Sequence, residues 1–486
     1  MYCEKFMNTI CTHSGWASDA AFASTQGCLR GDWNTIPQEG GVILYNHDGK
    51  LVVDGGDECR HLLIIGATGT GKSRLIILPS LIYSLRARKR RSFVVFDVKG
   101  ELKEATLQIA RDNHYNILDV NFRDPSLGDP WNPFYKANAL YATGTDENMK
   151  KARTLLEKYI DSIFSDGRAN GRNDPYWRTN CANLFRGICS ILWGLGKSIT
   201  LRDVLRLSDS IPISRKDEDD DDECQLFRLA DRFPEGSAAR RLLAGFRSGS
   251  NQTRGNILSC YRGYLSPMTA RDDVLKMVSG STSINFQQLG ETPTVLYITL
   301  PDDSTALGGL QGILLTQLMQ ELNECALRNN GCLPVRTEMY LDEVCNIRPA
   351  IPSLETALTI ARSRGIRYIL AIQSYAQFCG VYGSAAETIA ANCSSWIALN
   401  IAKDETFRMK LSQLCGCNAM GDPLITPSQL SLLSYEQAIV IRERCAPYFS
   451  QLEDLGKVQQ RLSGRTRAGK PPRGPRSKGK STRECA

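Results

Sequence analysis

Short, nearly uninterrupted apolar runs recur along the chain at His61–Ile65, Phe93–Phe96, Ile117–Val120, Thr294–Thr299, Met339–Leu341, Tyr368–Ile372, Trp396–Leu399 and Ala438–Ile441. Helical stretches alternate with several of them. Strands that are apolar throughout and alternate with helices predict a mainly parallel sheet covered on both faces, an α/β fold. Between Asn132 and about Asn285 the period changes. Met149, Ala152, Leu156, Tyr159, Ile160 and Ile163 recur at helical spacing, as do Trp177, Cys181, Leu184, Ile188, Ile191 and Leu195. No strand pattern interrupts them, which predicts a mostly helical domain inserted into the α/β fold. The expected division is residues 1–135 and 286–455 for the two parts of the α/β domain, 136–285 for the insertion and 456–486 for a tail. Within the insertion, the acidic run Asp217–Glu223 reads as an exposed loop.

The composition is that of an ordinary globular protein: 486 residues, 42% of them hydrophobic, enough for two or more domains. No window has the eighteen or so apolar residues of a membrane span, and Met1–Trp16 lacks the basic and apolar regions of a secretion signal. Seventeen cysteines are scattered from Cys3 to Cys485 without a C-x-x-C pair, and the four histidines sit at no zinc-like spacing from them. Dispersed thiols fit a reducing compartment. The net charge of +7 is concentrated at the end, where ten Lys and Arg residues from Gly456 onward face Glu484 alone. The rest of the chain is close to neutral. A basic segment rich in Pro, Gly and Ser predicts a disordered arm, either attracting nucleic acid or anionic lipid or serving only solubility.

The first apolar run, His61–Ile65, leads directly into Gly66-Ala67-Thr68-Gly69-Thr70-Gly71-Lys72-Ser73. This is the G-x-x-x-x-G-K-S pattern of a phosphate-binding loop. Its glycines let backbone N–H groups and a helix N-terminus approach phosphates, while Lys72 supplies a point charge and Ser73 a magnesium ligand. Nucleoside triphosphate binding follows as the expectation.

Hydrolysis needs carboxylates and a sensor at the ends of neighbouring strands. Glu338-Met339-Tyr340-Leu341-Asp342-Glu343 is an apolar run ending in two acids, which assigns Asp342 to magnesium and Glu343 to polarising the attacking water. Tyr368–Ile372 ends in Gln373-Ser374, where a glutamine could bond both that water and the γ-phosphate. Arg362 and Arg364 precede this strand, and a guanidinium supplied across a subunit boundary stabilises charge on a transferring phosphoryl group. In the insertion, Arg240, Arg241, Arg247, Arg254 and Arg262 accompany Tyr261 and Tyr264, a mixture suited to nucleic-acid contact.

Together these residues resemble the type IV secretion coupling proteins, the TraG-like ATPases of conjugation. The resemblance runs in order from about Gly41 to about Ile441. It rests on Val95-Phe96-Asp97-Val98-Lys99-Gly100-Glu101-Leu102, Trp131-Asn132-Pro133, Asp174-Pro175-Tyr176-Trp177, Leu341-Asp342-Glu343, Arg362-Ser363-Arg364-Gly365-Ile366, Gln373-Ser374, Gln377 and Tyr382-Gly383. Pro79 also follows Ser73 as in the family, although proline is awkward in a regular helix.

The resemblance implies a RecA-like P-loop NTPase core with a helical insertion, using ATP and Mg2+ and assembling as a homo-hexamer. It implies passage of single-stranded DNA with its relaxase, or of effector proteins, to channel components at the inner membrane. By that analogy Lys72 and Ser73 handle phosphate and magnesium, Asp342 and Glu343 form the acidic pair, Gln373 is the sensor and Arg362 is the better candidate for the trans-acting finger. Two features depart from the family. Its members usually begin with two membrane-spanning helices, so attachment to the cytoplasmic side of the membrane would come from partners or from a segment outside this sequence. The usual proline after the Asp of the second strand is Val98, which should loosen the turn at Lys99-Gly100. Competing readings are a double-stranded DNA translocase of the chromosome-segregation type and a weakly hydrolysing docking adaptor.

Overall fold

The computed structural model describes residues 15–468, apart from 57, 165–174, 213–223, 283, 302–306, 348–349 and 352–353. The acidic run Asp217–Glu223 and Asp174 lie outside the described residues.

The three-stranded sheet comprises β1 (Cys28–Asp32), β2 (Gly41–His47) and β3 (Lys50–Gly55). The main sheet comprises β4 (His61–Ile65), β5 (Ser92–Asp97), β6 (Asn116–Asn121), β7 (Thr294–Thr299), β8 (Thr337–Leu341), β9 (Ile366–Ile372), β10 (Cys393–Ala398), β11 (Gln437–Arg442) and β12 (Tyr448–Gln451). Its order is β12-β11-β10-β4-β9-β8-β5-β7-β6. From β10 to β6 every pairing is parallel, and β11 and β12 extend the edge antiparallel. The α/β class expected from the apolar runs is therefore the observed one.

Successive residues of each central strand serve different cores. Leu63, Ile65, Val94 and Phe96 join one apolar cluster, whereas Leu62, Ile64, Phe93 and Val95 join the other. This is the two-sided burial that makes a parallel strand read as a continuous apolar run. The second cluster is closed by β2, β3 and the helix after the glycine-rich loop, through Ile43, Leu44, Val53, Ile76 and Leu81. Ser80 Oγ accepts the Ile43 N–H at 2.9 Å, and Ser84 Oγ accepts that of Gly41 at 2.9 Å.

That helix begins as a widened π-helical turn, Lys72–Ile77, and continues as a regular helix, Leu78–Leu85, with Pro79 in its first turn. Pro79 has no N–H and its ring would collide with the carbonyl four residues back, so a wider turn ahead of it relieves the clash.

The insertion leaves after β6 and returns at β7, two neighbouring strands. Its helices include Asp146–Ile163, Pro175–Gly194, Leu201–Asp209, Ala238–Arg247, Asn251–Thr269 and Asp272–Ser279. Trp131 and Asn132 root it: the Trp131 indole N–H donates to Gln317 Oε1 at 3.0 Å, and Asn132 Nδ2 donates to the Ile199 carbonyl at 3.1 Å. Trp131, Phe134, Tyr159, Phe185 and Tyr261 belong to the same buried cluster as Phe96 and Ile298 of the sheet.

At the amino end of β4, His61 is fully buried. Its Nε2–H donates to the Leu358 carbonyl at 2.8 Å, and its Nδ1 accepts the Tyr368 N–H at 3.1 Å. Nearby, buried Asp54 pairs with Arg367 at 3.1 Å and Arg442 at 3.2 Å, tying β3 to β9 and β11.

One sequence expectation needs adjustment at the C-terminal end. Leu455–Ala468 is a helix, with Leu455 and Val458 buried and Leu462 packed against the second core, so order continues past Gly456. The apolar spacing of these three residues anchors a segment whose overall composition is basic and polar. Residues 469–486 lie outside the described residues. Among the described residues, no helix is long and apolar enough to cross a membrane.

Candidate active site

Three adjacent strands, β4, β9 and β8, end side by side at their carboxyl edges and deliver the residues singled out in the sequence. The loop Gly66–Ser73 leaves β4. Gly69 at φ +80° and Gly71 at φ +95° take backbone conformations that L side chains rarely adopt, which is why glycine is needed there. Within the loop, Thr70 Oγ1 donates to the Ala67 carbonyl at 2.8 Å, and Lys72 Nζ donates to the carbonyls of Gly66 at 2.7 Å and Ala67 at 3.3 Å. Lys72 is buried, and burial lowers its ammonium pKa against the opposing pull of Asp342 and Glu343.

Asp342 leaves the end of β8 and accepts a hydrogen bond from Ser73 Oγ at 3.0 Å. Burial and the neighbouring Glu343 push its carboxyl up to about 6. Its other oxygen, Oδ1, is buried with no hydrogen-bond partner among the described residues. A hydroxyl and a buried carboxylate oxygen lacking a donor form an oxygen set suited to a hard divalent cation such as Mg2+. Glu343 follows in the left-handed region at φ +55°, uncommon for a residue with a side chain. Its carboxylate accepts from Asn346 Nδ2 at 2.6 Å, so Asn346 aims the acid.

Between these two strands, β9 presents Gln373, whose Oε1 accepts from Thr68 Oγ1 at 2.9 Å. The next residue, Ser374, caps the following helix and donates to Asp404 Oδ2 at 3.0 Å. Thr68, Asn346 and Asp404 were not assigned these roles from sequence. Apart from Thr68's place in the loop pattern, nothing local in the sequence marks them.

The turn after β5 is firmer than Val98 predicts. Asp97 accepts the N–H groups of Gly100 at 2.7 Å and Lys103 at 2.9 Å, while Arg123 donates to the carbonyls of Val98 at 2.8 Å and Lys99 at 2.7 Å. A buried carboxylate and a forked guanidinium replace the rigidity that a proline would lend.

Arg362 lies elsewhere. It is exposed near the end of the helix Leu354–Arg364, at the amino end of β9, and its guanidinium has no hydrogen-bond or ion-pair partner among the described residues. The seven residues of β9 separate it from Gln373, about 23 Å of strand. It cannot reach the phosphate loop of its own chain. Arg364 is engaged with the Gly331 carbonyl at 3.3 Å.

The arginine-rich part of the insertion is also more self-contained than its sequence suggests. Arg240 and Arg247 both pair with Asp231, at 3.1 and 2.7 Å, and Arg262 pairs with Asp209 at 3.4 Å. Tyr261 is fully buried and offers no stacking surface, while Tyr264 packs edge-on against Phe164.

Residues 14–422 match the family described as Type IV secretory system Conjugative DNA transfer. The chain belongs to this family. Among solved structures, this coupling-protein chain is similar to the unbound bacterial conjugative coupling protein TrwBdeltaN70, at 21% identity and a TM-score of 0.59 over 84% of this chain and 89% of that one. It is also similar to the plasmid coupling protein TrwB in complex with ADP and Mg2+, and with the ATP analogue ADPNP. Each of these has 20% identity and a TM-score of 0.56, covering 82% of this chain and 86% of the other. At such identities the likeness shows the fold, the RecA-like NTPase core of TrwB. No curated protein matches this chain in sequence.

Proposed function

We propose that this coupling-family chain is a magnesium-dependent ATPase whose turnover drives or licenses transfer of single-stranded DNA with its relaxase, or of effector proteins, into a type IV secretion channel. The observation that carries the catalytic half is the junction of Ser73 with Asp342 at 3.0 Å beside Glu343 and the Thr68–Gln373 pair. The bound nucleotides of the TrwB structures support ATP as the ligand.

In this reading the loop amides and Lys72 neutralise the β- and γ-phosphates. Lys72 leaves the Gly66 carbonyl to do so. Ser73 and Asp342 hold Mg2+, which supplies charge neutralisation at the transferring phosphoryl group. Glu343, aimed by Asn346, orients and polarises the attacking water. Gln373 contacts that water and the γ-phosphate, reporting which nucleotide is present. Arg362 completes the site of a neighbouring subunit, consistent with its exposure about 23 Å along the strand from its own Gln373. The assembly this requires is a homo-hexameric ring, held at the cytoplasmic side of the inner membrane by channel components.

The test is ATP hydrolysis by the purified protein, with and without single-stranded DNA, beside Glu343→Gln. Turnover that the substitution lowers at least a hundredfold, with nucleotide binding retained, supports a motor. Wild-type turnover no greater than that of the variant under both conditions overturns it in favour of a docking role.

A further inference from the structure

The order of strands gives the nucleotide a direction. β4 and its loop stand between β9 and β10. On the β9 side lie Gln373, Asp342 and Glu343, the groups suited to the γ-phosphate. The nucleoside end must therefore leave over β10, β11 and β12.

There the segment before β11 is tied to the phosphate loop. Asn400, just beyond β10, accepts the Ala67 N–H at 3.3 Å and donates from Nδ2 to the Leu433 carbonyl at 2.6 Å. Two residues on, Tyr435 is 43% exposed and belongs to neither apolar core. Its ring edge stands 3.0 Å from where a side chain at Gly71 would begin. The hydroxyl donates to Asp454 Oδ2 at 2.9 Å, and the same carboxylate receives both Nε and Nη2 of Arg74, at 2.9 and 2.7 Å. Arg74 directly follows Ser73. An aromatic ring that reaches solvent is thus held at its hydroxyl, two residues from a carbonyl tied to Asn400, against the phosphate loop and on its nucleoside side.

We propose that Tyr435 is the platform on which the nucleotide base stacks, with the Arg74–Asp454 pair fixing its orientation. The inference rests on Gly66–Ser73 binding a nucleoside triphosphate. A fixed ring loses little entropy on contact, and stacking on an aromatic side chain favours any base that presents a π-face. Stacking reads ring area and tolerates changes at the base edge. Adenine and guanine are therefore held alike, and pyrimidines more weakly.

The experiment is displacement of a fluorescent ribose-labelled ADP from the full chain by ATP, GTP, CTP and inorganic tripolyphosphate. It compares wild type, Tyr435→Ala and Tyr435→Phe. For the alanine variant, ATP and GTP affinities should fall about tenfold, approaching that of CTP, while tripolyphosphate affinity is unchanged. Phenylalanine keeps the ring and gives up only the hydroxyl anchor, so it should lose less purine affinity than alanine. Purine affinity unaffected by Tyr435→Ala overturns the platform, and so does an equal loss for tripolyphosphate, which would mark a damaged loop. A wild-type protein that binds neither nucleotide nor tripolyphosphate overturns the loop reading itself, and the platform with it.

Discussion

Thr68 Oγ1 donates to Gln373 Oε1 across 2.9 Å, so the phosphate loop and the strand beside it are latched together by the chain's own groups. A γ-phosphate in the loop would compete for both partners, which makes the pair a point at which bound triphosphate can be told from diphosphate. Gln373→Ala should lower single-turnover ATP hydrolysis on the order of a hundredfold, the usual loss when one preorganised polar contact to a reacting group is removed. Thr68→Val keeps the side-chain shape and deletes only the latch. Its nucleotide affinity should stay within about threefold of wild type. Equal effects of the two substitutions would show that the pair acts through structure alone.

Asp342 combines a bond from Ser73 with a buried oxygen that has no donor among the described residues. Asp342→Asn should remove the Mg2+-dependent part of nucleotide affinity, and hydrolysis with it. Binding measured in EDTA should change little. Titration of labelled nucleotide with and without Mg2+ reads both quantities on one sample.

The role proposed for Arg362 makes a different prediction: an arginine that completes a neighbour's site shows its effect there. Arg362→Ala and Lys72→Ala should each abolish turnover when assayed alone. Mixed, they should regain part of it, since some subunit junctions then join an intact loop to an intact arginine. An inactive mixture would place the arginine outside the chemistry.

His61 supplies a pH test that is independent of activity. Burial lowers its pKa from 6.5 to about 4, with bonds to Leu358 and Tyr368 that suit the neutral ring. Between those values the unfolded chain binds the proton and the folded chain does not, so stability falls as the pH drops through this window. A shift of this size corresponds to a loss of about 3 kcal/mol. Denaturant unfolding at intervals from pH 7 to pH 4 should show the decline, and His61→Gln should flatten it.

The central strands were legible because burial on both faces leaves runs such as Leu62-Leu63-Ile64-Ile65 without a polar break. β1 is partly exposed and carries Arg30 and Asp32, while β3 carries Asp54, a carboxylate that looks like a surface group until Arg367 and Arg442 close on it. β12 is only four residues long. Those elements are specified by partners far along the chain, which a local pattern does not contain. The site divides in the same way. Loop glycines and paired acids announce themselves by spacing, whereas Thr68 meets Gln373, and Asn400 meets Leu433, only after the sheet has assembled.

The insertion and the sheet share one apolar cluster, from Phe96 and Ile298 through Trp131 and Phe134 to Phe185 and Tyr261. Helices that share buried side chains with a sheet in this way resist moving as a separate body. A change at the phosphate loop therefore has to travel as a small sliding of packed side chains. The insertion would respond as part of the engine block, and heating should melt the two together.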